Sequence, residues 1–290
     1  MTDLEERVLD TADSGRVRVL GPHDLPRTRE LLDRDPVSHC FVSSRVAASG
    51  MDTWRMGGEM WGYEVDGQIE SLLHAGANLV PVETTVEARD AFAVRARVLG
   101  RRCSSIVGSR DEVLHLWSLL EHTWGRPRDT RLSQPLMRID GAPLVEPDPL
   151  VRRVRDEEID LLLPAAIEMF TEEVGVSPVS GGSSSAYRAR IAEMIRAGRA
   201  FARIEDGAVV FKAEIGAATS AACQVQGVWV AKDRRGEGLS VAGMAAVVTA
   251  ARRDIAPTVS LYVNDFNIPA RRSYERVGFV QSGEFATIFF

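Results

Sequence analysis

The chain has 290 residues, too long for one average domain and comfortable for two, since domains cluster near about 100–150 residues. With 45% hydrophobic and 26% charged residues it is not a disordered polymer, which would be poor in apolar side chains. A net charge of -6 argues against a nucleic-acid binder, whose domain would be basic. Of 35 basic residues only Lys212 and Lys232 are lysines, leaving 33 arginines, a skew that reads as coding bias.

The longest apolar run, residues 241–251 broken by Thr249, is too short for a bilayer and suits a buried helix, so no membrane partner is expected. The acidic residues 1–15 lack the charged start and apolar core of a signal peptide. Cys40, Cys103 and Cys223 are odd in number and far apart, which predicts a reducing cytoplasm and neither a disulfide framework nor a metal site. His115 and His122, seven apart on a predicted helix, read as surface or core residues rather than ligands. A monomer or homodimer is expected.

In chain order, the first half predicts a strand at 17–20, a helix at 25–32 and a hairpin of 60–65 with 68–75 around Asp66-Gly67. A helix at 86–99, a strand at 103–107 and a helix at 111–122 follow. Pro143, Pro147 and Pro149 make 141–149 a linker, and the expected domains are 1–145 and 146–290. The second half opens with a strand at 150–155 and a helix at 157–174, kinked or divided at Pro164. A Ser/Gly/Pro loop at 175–185 leads to a helix at 186–197, then a hairpin of 200–205 with 208–217 around Asp206-Gly207. A strand at 222–231 enters the basic turn Lys232-Asp233-Arg234-Arg235-Gly236-Glu237-Gly238. A helix at 239–253, a strand at 258–263, a helix at 267–277 and closing strands at 280–290 complete the reading. The two Asp-Gly hairpins lie 140 residues apart in similar outlines. The halves are therefore either a worn tandem repeat or two α+β domains that share an element order.

The turn at 232–238 joins a buried strand to a helix whose first amides lack partners and carry the positive end of the dipole, a ready anion site. Gly236 and Gly238 let backbone approach a ligand, and Arg235 adds charge. No lysine follows the glycines, so a P-loop is excluded. Val241 stands where a dinucleotide fingerprint needs glycine, and the next strand ends in Asn264 instead of an acid. Further on, Asn267, Ala270, Tyr274 and Gly278 share one helical face, with Asn267 suited to an N-cap and Gly278 to the stop.

Together the two segments resemble the GNAT superfamily of acyl-CoA-dependent N-acyltransferases. Arg235, Gly238 and Ser240 answer its Gln/Arg-x-x-Gly-x-Gly/Ala signature, Ser240 being a departure. Asn267, Ala270, Tyr274, Gly278 and Phe279 answer its Asn-x-x-Ala-x-x-x-Tyr-x-x-x-Gly-Phe segment. The resemblance covers about residues 150–290 and implies an α+β, mixed α/β fold: a central mixed, largely antiparallel sheet flanked by helices. It implies acetyl-CoA or another short acyl-CoA as co-substrate, no metal, and a small-molecule or peptide amine as acceptor. The pantetheine arm would lie between two splayed strands, paired with Val228, Trp229 and Val230. Amides of Arg235, Gly236, Glu237, Gly238, Leu239 and Ser240 would hold the pyrophosphate. Asn264 and Asn267 would face the arm, and Arg271 would reach a CoA phosphate or stay solvated.

The reaction implied is direct attack of a neutral amine on the thioester, with an amide near Val230 facing the oxyanion and Tyr274 protonating the leaving thiolate. The family often places a glutamate on the strand that here carries Gln224 and Gln226. Glu214 on the neighbouring strand is the candidate base, directly or through water, against a purely structural role; the terminal carboxylate of Phe290 is a second option. The loop at 171–187 is expected to border the acceptor, with Glu172 and Glu173 either attracting a cation or simply ending a helix. The first half has no matching turn, since Glu83 and Glu87 flank Thr84-Thr85-Val86 without a glycine, so no cofactor is expected there. Trp54, Trp61, Trp117 and Trp124 read as core or interface. The alternative function is an acyl-CoA-binding sensor or scaffold without turnover; an unrelated nucleotide binder is disfavoured by the paired motifs.

Overall fold

The computed structural model describes residues 15–182 and 184–290. The acidic residues 1–14 and Ser183 of the Ser/Gly loop lie outside the described residues. The chain divides into two compact units, Met1–Pro135 with Gly283–Phe290, and Leu136–Ser282.

The first unit contains β1 (Arg16–Val19), α1 (Leu25–Leu32), α2 (Cys40–Ser49), α3 (Thr53–Met56), β2 (Gly58–Val65), β3 (Gln68–Gly76), β4 (Asn78–Val82), α4 (Val86–Leu99), β5 (Ser105–Ser109) and α5 (Arg110–Trp124). The start of β6 (Asp129–Ile139) also belongs to it. Strands β1 to β5 follow one another in space; β4 and β5 are parallel and the earlier pairs antiparallel. Residues 285–289, at the end of the chain, pair antiparallel with β5 and lie next to β6. Alternation along the strands builds two cores: Trp61, Leu73 and Leu79 pack with α4 and α5, while Met60, Leu72 and Val80 pack with α1 and α2. Asp66 and Gly67 have φ of 49° and 77°, the two positive values that a two-residue hairpin turn needs to follow strand twist.

The second unit repeats this plan. It holds the end of β6, β7 (Arg152–Arg153), α6 (Ile159–Val174), α7 (Ser184–Arg196), β8 (Ala200–Glu205), β9 (Ala208–Ala218), β10 (Ala222–Val230), α8 (Leu239–Asp254), β11 (Thr258–Tyr262), α9 (Ile268–Val277) and the start of β12 (Val280–Phe289). Strands β7 to β11 again follow in order, β10 and β11 are parallel, and β11 pairs with residues 136–139 of β6. Each unit thus has five strands in sequence order, a parallel fourth and fifth pair, and then a segment from the far end of the chain's other half. Phe211, Ala213, Ile215, Cys223 and Val225 pack with α8 and α9; Leu162, Ala166, Ile191 and Trp229 pack on the α6 and α7 side.

Three local points bear on the expectations above. Pro164 sits inside α6 without dividing it. The expected linker at 141–149 is packed: Asp148 is buried, accepts a hydrogen bond from Arg203 at 2.8 Å, and its amide donates to the Ala242 carbonyl. The last eight residues, read as part of 146–290, group with the first unit. Cys40, Cys103 and Cys223 are free and buried. No helix among the described residues is long and apolar enough to cross a membrane.

Candidate active site

The site begins with an irregular strand. On the β9 side Gln226 stands opposite Glu214, but Trp229 stands opposite Lys212, so Gly227 and Val228 together face Ala213. This is a β-bulge, and Gly227 has φ of 60°, where a side chain would be strained. The extra residue inverts the alternation. Cys223 and Val225 face α8 before the bulge, whereas Val228 and Val230 pack toward that core after it and Trp229 turns to the α6 side.

On its other edge β10 pairs with β11 only over 222–224 and 258–260. Beyond this the strands part, leaving backbone of residues 225–230 without a strand partner on that side. This is the splay that the resemblance implied. An extended ligand arm can add to such an edge through main-chain hydrogen bonds.

After β10 the chain makes a single helical turn, Lys232–Arg234, and enters α8 through Gly236 and Gly238, with φ of 90° and 82°. A Cβ built at either glycine would meet nothing within 4 Å, so the turn has an open face. Gly238 is the N-cap, and no side chain caps α8 among the described residues. A 16-residue helix with an uncapped start and an open glycine turn is suited to an anion. Leu239 is buried beneath the turn. Ser240 directs its hydroxyl to Ser273 of α9 at 3.1 Å, so this departure from the signature braces the two helices.

The cations of the turn are engaged by carboxylates. Arg235 donates to the Val230 carbonyl at 3.2 Å and pairs with Glu172 at 2.7 Å; Lys232 pairs with Glu168 and Glu172 at 2.8 and 3.1 Å. Glu237 pairs with Arg234. Glu172, left open between attracting a cation and ending a helix, pairs with the cations of the turn, and against the opposing effect of burial Arg235 and Lys232 hold its carboxyl below the usual range.

Helix α9 carries the second motif. Asn267 caps it, accepting from the Ala270 amide at 3.3 Å; the Asn264 carbonyl accepts from the Asn267 amide, and Arg271 donates to the Asp265 carbonyl. Gly278, at φ of 111°, ends the helix. Tyr274 is 7% exposed, in the core of α8 and α9, with its ring edge-on to Phe279 at 5.9 Å. Burial, with a smaller contribution from the charge of Glu173 on α6, raises its phenol above the usual range, so it keeps its proton at neutral pH.

Glu214 is buried on the opposite face of β9 from that core. It forms an ion pair with Lys212, which is wholly buried, at 2.7 Å, and Lys212 also donates to the Gly227 carbonyl at 2.8 Å. Tyr187, whose hydroxyl donates to the Ala166 carbonyl at 3.1 Å, is pushed up to about 12 by burial and then by the charge of Glu214. Sequence reasoning missed Lys212. Its signal was present: a lysine in the apolar strand Val-Val-Phe-Lys-Ala-Glu-Ile of a chain that otherwise uses arginine. Phe290, whose carboxylate was the second candidate base, belongs to the first unit, with its ring against Trp117 and Trp124. Trp61 is in that unit's core, and Trp54 is 91% exposed.

In the first unit β4 and β5 also part early, pairing only at 78–79 and 105–106. There the helix start is already satisfied. Thr85 caps α4, and the half-buried Glu112 carboxylate accepts from the Thr84 amide and hydroxyl at 2.5 and 2.8 Å. Glu83, at φ of 53°, places a second acid beside a cavity of about 670 Å³ lined also by Arg34, His39 and Glu112. No group of residues suited to a metal ion occurs among the described residues.

Comparison with known proteins fits this geometry. Residues 169–279 match the acetyltransferase (GNAT) family model, and residues 58–162 match DUF4081, a domain of unknown function. The chain is thus similar to the GNAT family over part of its C-terminal half and to DUF4081 over part of its N-terminal half. No curated protein matches the sequence. Among solved structures, an acetyltransferase of the GNAT family from Colwellia psychrerythraea is 12% identical over 95% of this chain and 99% of its own, with a TM-score of 0.58. A GCN5-related N-acetyltransferase from Sphaerobacter thermophilus is 17% identical over 96% of both chains, with a TM-score of 0.60. A tandem GNAT protein from the clavulanic acid biosynthesis pathway is 14% identical over 95% of this chain and 98% of its own, with a TM-score of 0.53. At these identities the likeness establishes the fold, a mixed sheet flanked by helices in the arrangement of GNAT proteins.

Proposed function

We propose that the protein is an N-acetyltransferase that moves an acetyl group from acetyl-CoA to a primary amine of a small molecule or peptide. The observation that carries this reading is the bulged, unpaired edge of β10 leading into an open glycine turn at the uncapped start of α8, with Tyr274 on the next helix. Backbone of Val228, Trp229 and Val230 would hold the pantetheine arm. Amides from Arg235 through Ser240 would hold the pyrophosphate, with Asn264, Asn267 and Arg271 beside it. Acetyl-CoA supplies an activated acyl thioester. The amine nitrogen forms the new C–N bond as the C–S bond breaks; an amide after Gly227 faces the developing oxyanion. Glu214 takes the amine proton through water, and the protonated Tyr274 gives its proton to the leaving thiolate.

The second unit alone is proposed to bind acyl-CoA, because the equivalent helix start in the first unit is capped by Thr85, with the Glu112 carboxylate held on the preceding Thr84. A reducing, cytoplasmic setting suits three buried free thiols. A second reading, an acyl-CoA sensor without turnover, is favoured by one observation: the candidate base is held in a buried ion pair.

Thiol release with an amine panel, compared between wild type and Tyr274→Phe, tests the assignment. The variant is expected to lose about 10²-fold in kcat while acetyl-CoA affinity stays within about threefold. Equal rates would remove Tyr274 as the acid, and tight binding by wild type without thiol release would favour the sensor.

A further inference from the structure

The one wholly buried lysine occupies a place that the reaction scheme above leaves unexplained. Lys212 is 0% exposed and stands on β9 opposite Trp229, just past the bulge. Its ammonium donates to Glu214 Oε1 at 2.7 Å and to the Gly227 carbonyl at 2.8 Å, joining the candidate base to the bulged residue. A Cβ at Gly227 would lie 3.0 Å from Met169 Cε, 3.1 Å from Lys212 Nζ and 3.2 Å from Glu214 Oε2, so the ammonium, the carboxylate and the bulge are in close contact.

Burying an ammonium is costly, and an apolar pair of similar volume would commonly be as stable. Packing alone is therefore a weak reason for a lysine here. The space is also specific. A planar guanidinium is larger than an ammonium and presents its donors in a fixed fork, whereas a compact ammonium can direct separate protons to a carboxylate and a carbonyl. In a chain with 33 arginines and two lysines, one lysine lies where its compact ammonium meets both acceptors.

We infer that Lys212 is a positioning residue: it clamps the Gly227 carbonyl and so fixes the direction of the amides that follow the bulge, while holding Glu214 beside them. The catalytic purpose of this clamp rests on the acyl-transfer reading; the clamp itself does not. An amide bulge that faces an oxyanion is useful only if its direction is set before the charge develops.

Hydrogen exchange resolved to peptides, on the full chain without ligand, tests the clamp. In Lys212→Met, amides of residues 225–230 are expected to exchange at least about 10-fold faster, with the α8 peptides little changed. Because this variant leaves Glu214 buried and uncompensated, the double variant Lys212→Met with Glu214→Gln is measured as well; residues 225–230 should again exchange fast. Glu214→Gln alone keeps the Lys212–Gly227 hydrogen bond and should leave that segment protected. Lys212→Arg should not restore protection.

In turnover, Lys212→Met should lower kcat by about 10²-fold, the loss expected for a misdirected oxyanion donor, and should also weaken acetyl-CoA binding, because the same backbone would hold the pantetheine arm. Unchanged exchange at 225–230 in the double variant, or an equal rise across the whole second unit, would overturn the clamp. If wild type fails to bind acetyl-CoA, the acyl-transfer reading falls and the catalytic purpose with it, while the exchange data still decide the clamp.

Discussion

Replacing Gly243 by alanine is expected to destabilise the second unit, although alanine is the better helix former. Gly243 lies in the interior of α8, where the exchange alone would favour the helix by about 1 kcal/mol. The added Cβ, however, would sit 2.8 to 2.9 Å from three ring atoms of Phe211, which is fully buried on β9, so the ring would have to shift within the core. Overpacking of this kind costs about 1–3 kcal/mol, leaving a net loss of about 1 kcal/mol. For a unit of this size that lowers the melting temperature by about 2–4 °C. The same substitution in a Phe211→Leu background should be neutral or stabilising, because the colliding ring is gone and only the helix term remains. Differential scanning calorimetry of the four proteins measures both numbers. An unchanged or raised melting temperature for Gly243→Ala in the wild-type background would refute the reasoning. So would an equal loss in the two backgrounds.

Isothermal calorimetry should find one acetyl-CoA per chain, and two would show that the Thr85 cap and Glu112 do not close the first unit. His74 supplies a pH dependence. It is 3% exposed, and burial, opposed by the Asn78 backbone and slightly reinforced by Arg45, lowers its pKa from 6.5 to about 4. The unfolded chain binds this proton first, so stability is complete above about pH 6.5 and falls by about 3 kcal/mol as pH drops to about 4. Urea melts of wild type and His74→Leu should diverge over that range; parallel curves would exclude His74 as the cause.

Much of the fold was legible in the chain. Asp66-Gly67 and Asp206-Gly207 marked both hairpins, because a two-residue turn that follows strand twist demands two positive φ values and few residue pairs supply them. Helices α4, α8 and α9 were placed closely by periodicity, capping residues and terminal glycines. Helices α2 and α3 and strand β4 drew no expectation; β4, Asn-Leu-Val-Pro-Val, is short and holds a proline, which weakens any strand pattern. The glycine turn and Tyr274 were recognisable as motifs, since their spacing in sequence is their spacing in space. Gly227, Lys212 and Glu214 were not joined, because cross-strand contacts depend on register, and a bulge shifts register by one residue.

The sequence alone therefore determined what local chemistry controls: the turns, the helix ends, the small residues at the start of α8, and the order of elements that makes the two halves alike. Tertiary structure decided what depends on distant partners. It assigned residues 136–139 to the second unit and 283–290 to the first, turned the proline-rich segment into a packed one through Asp148 and Arg203, and set a buried ammonium against the Gly227 carbonyl. The reason is physical: period-two alternation tells which face a strand residue occupies, whereas the neighbouring strand is chosen by contacts far away in the chain.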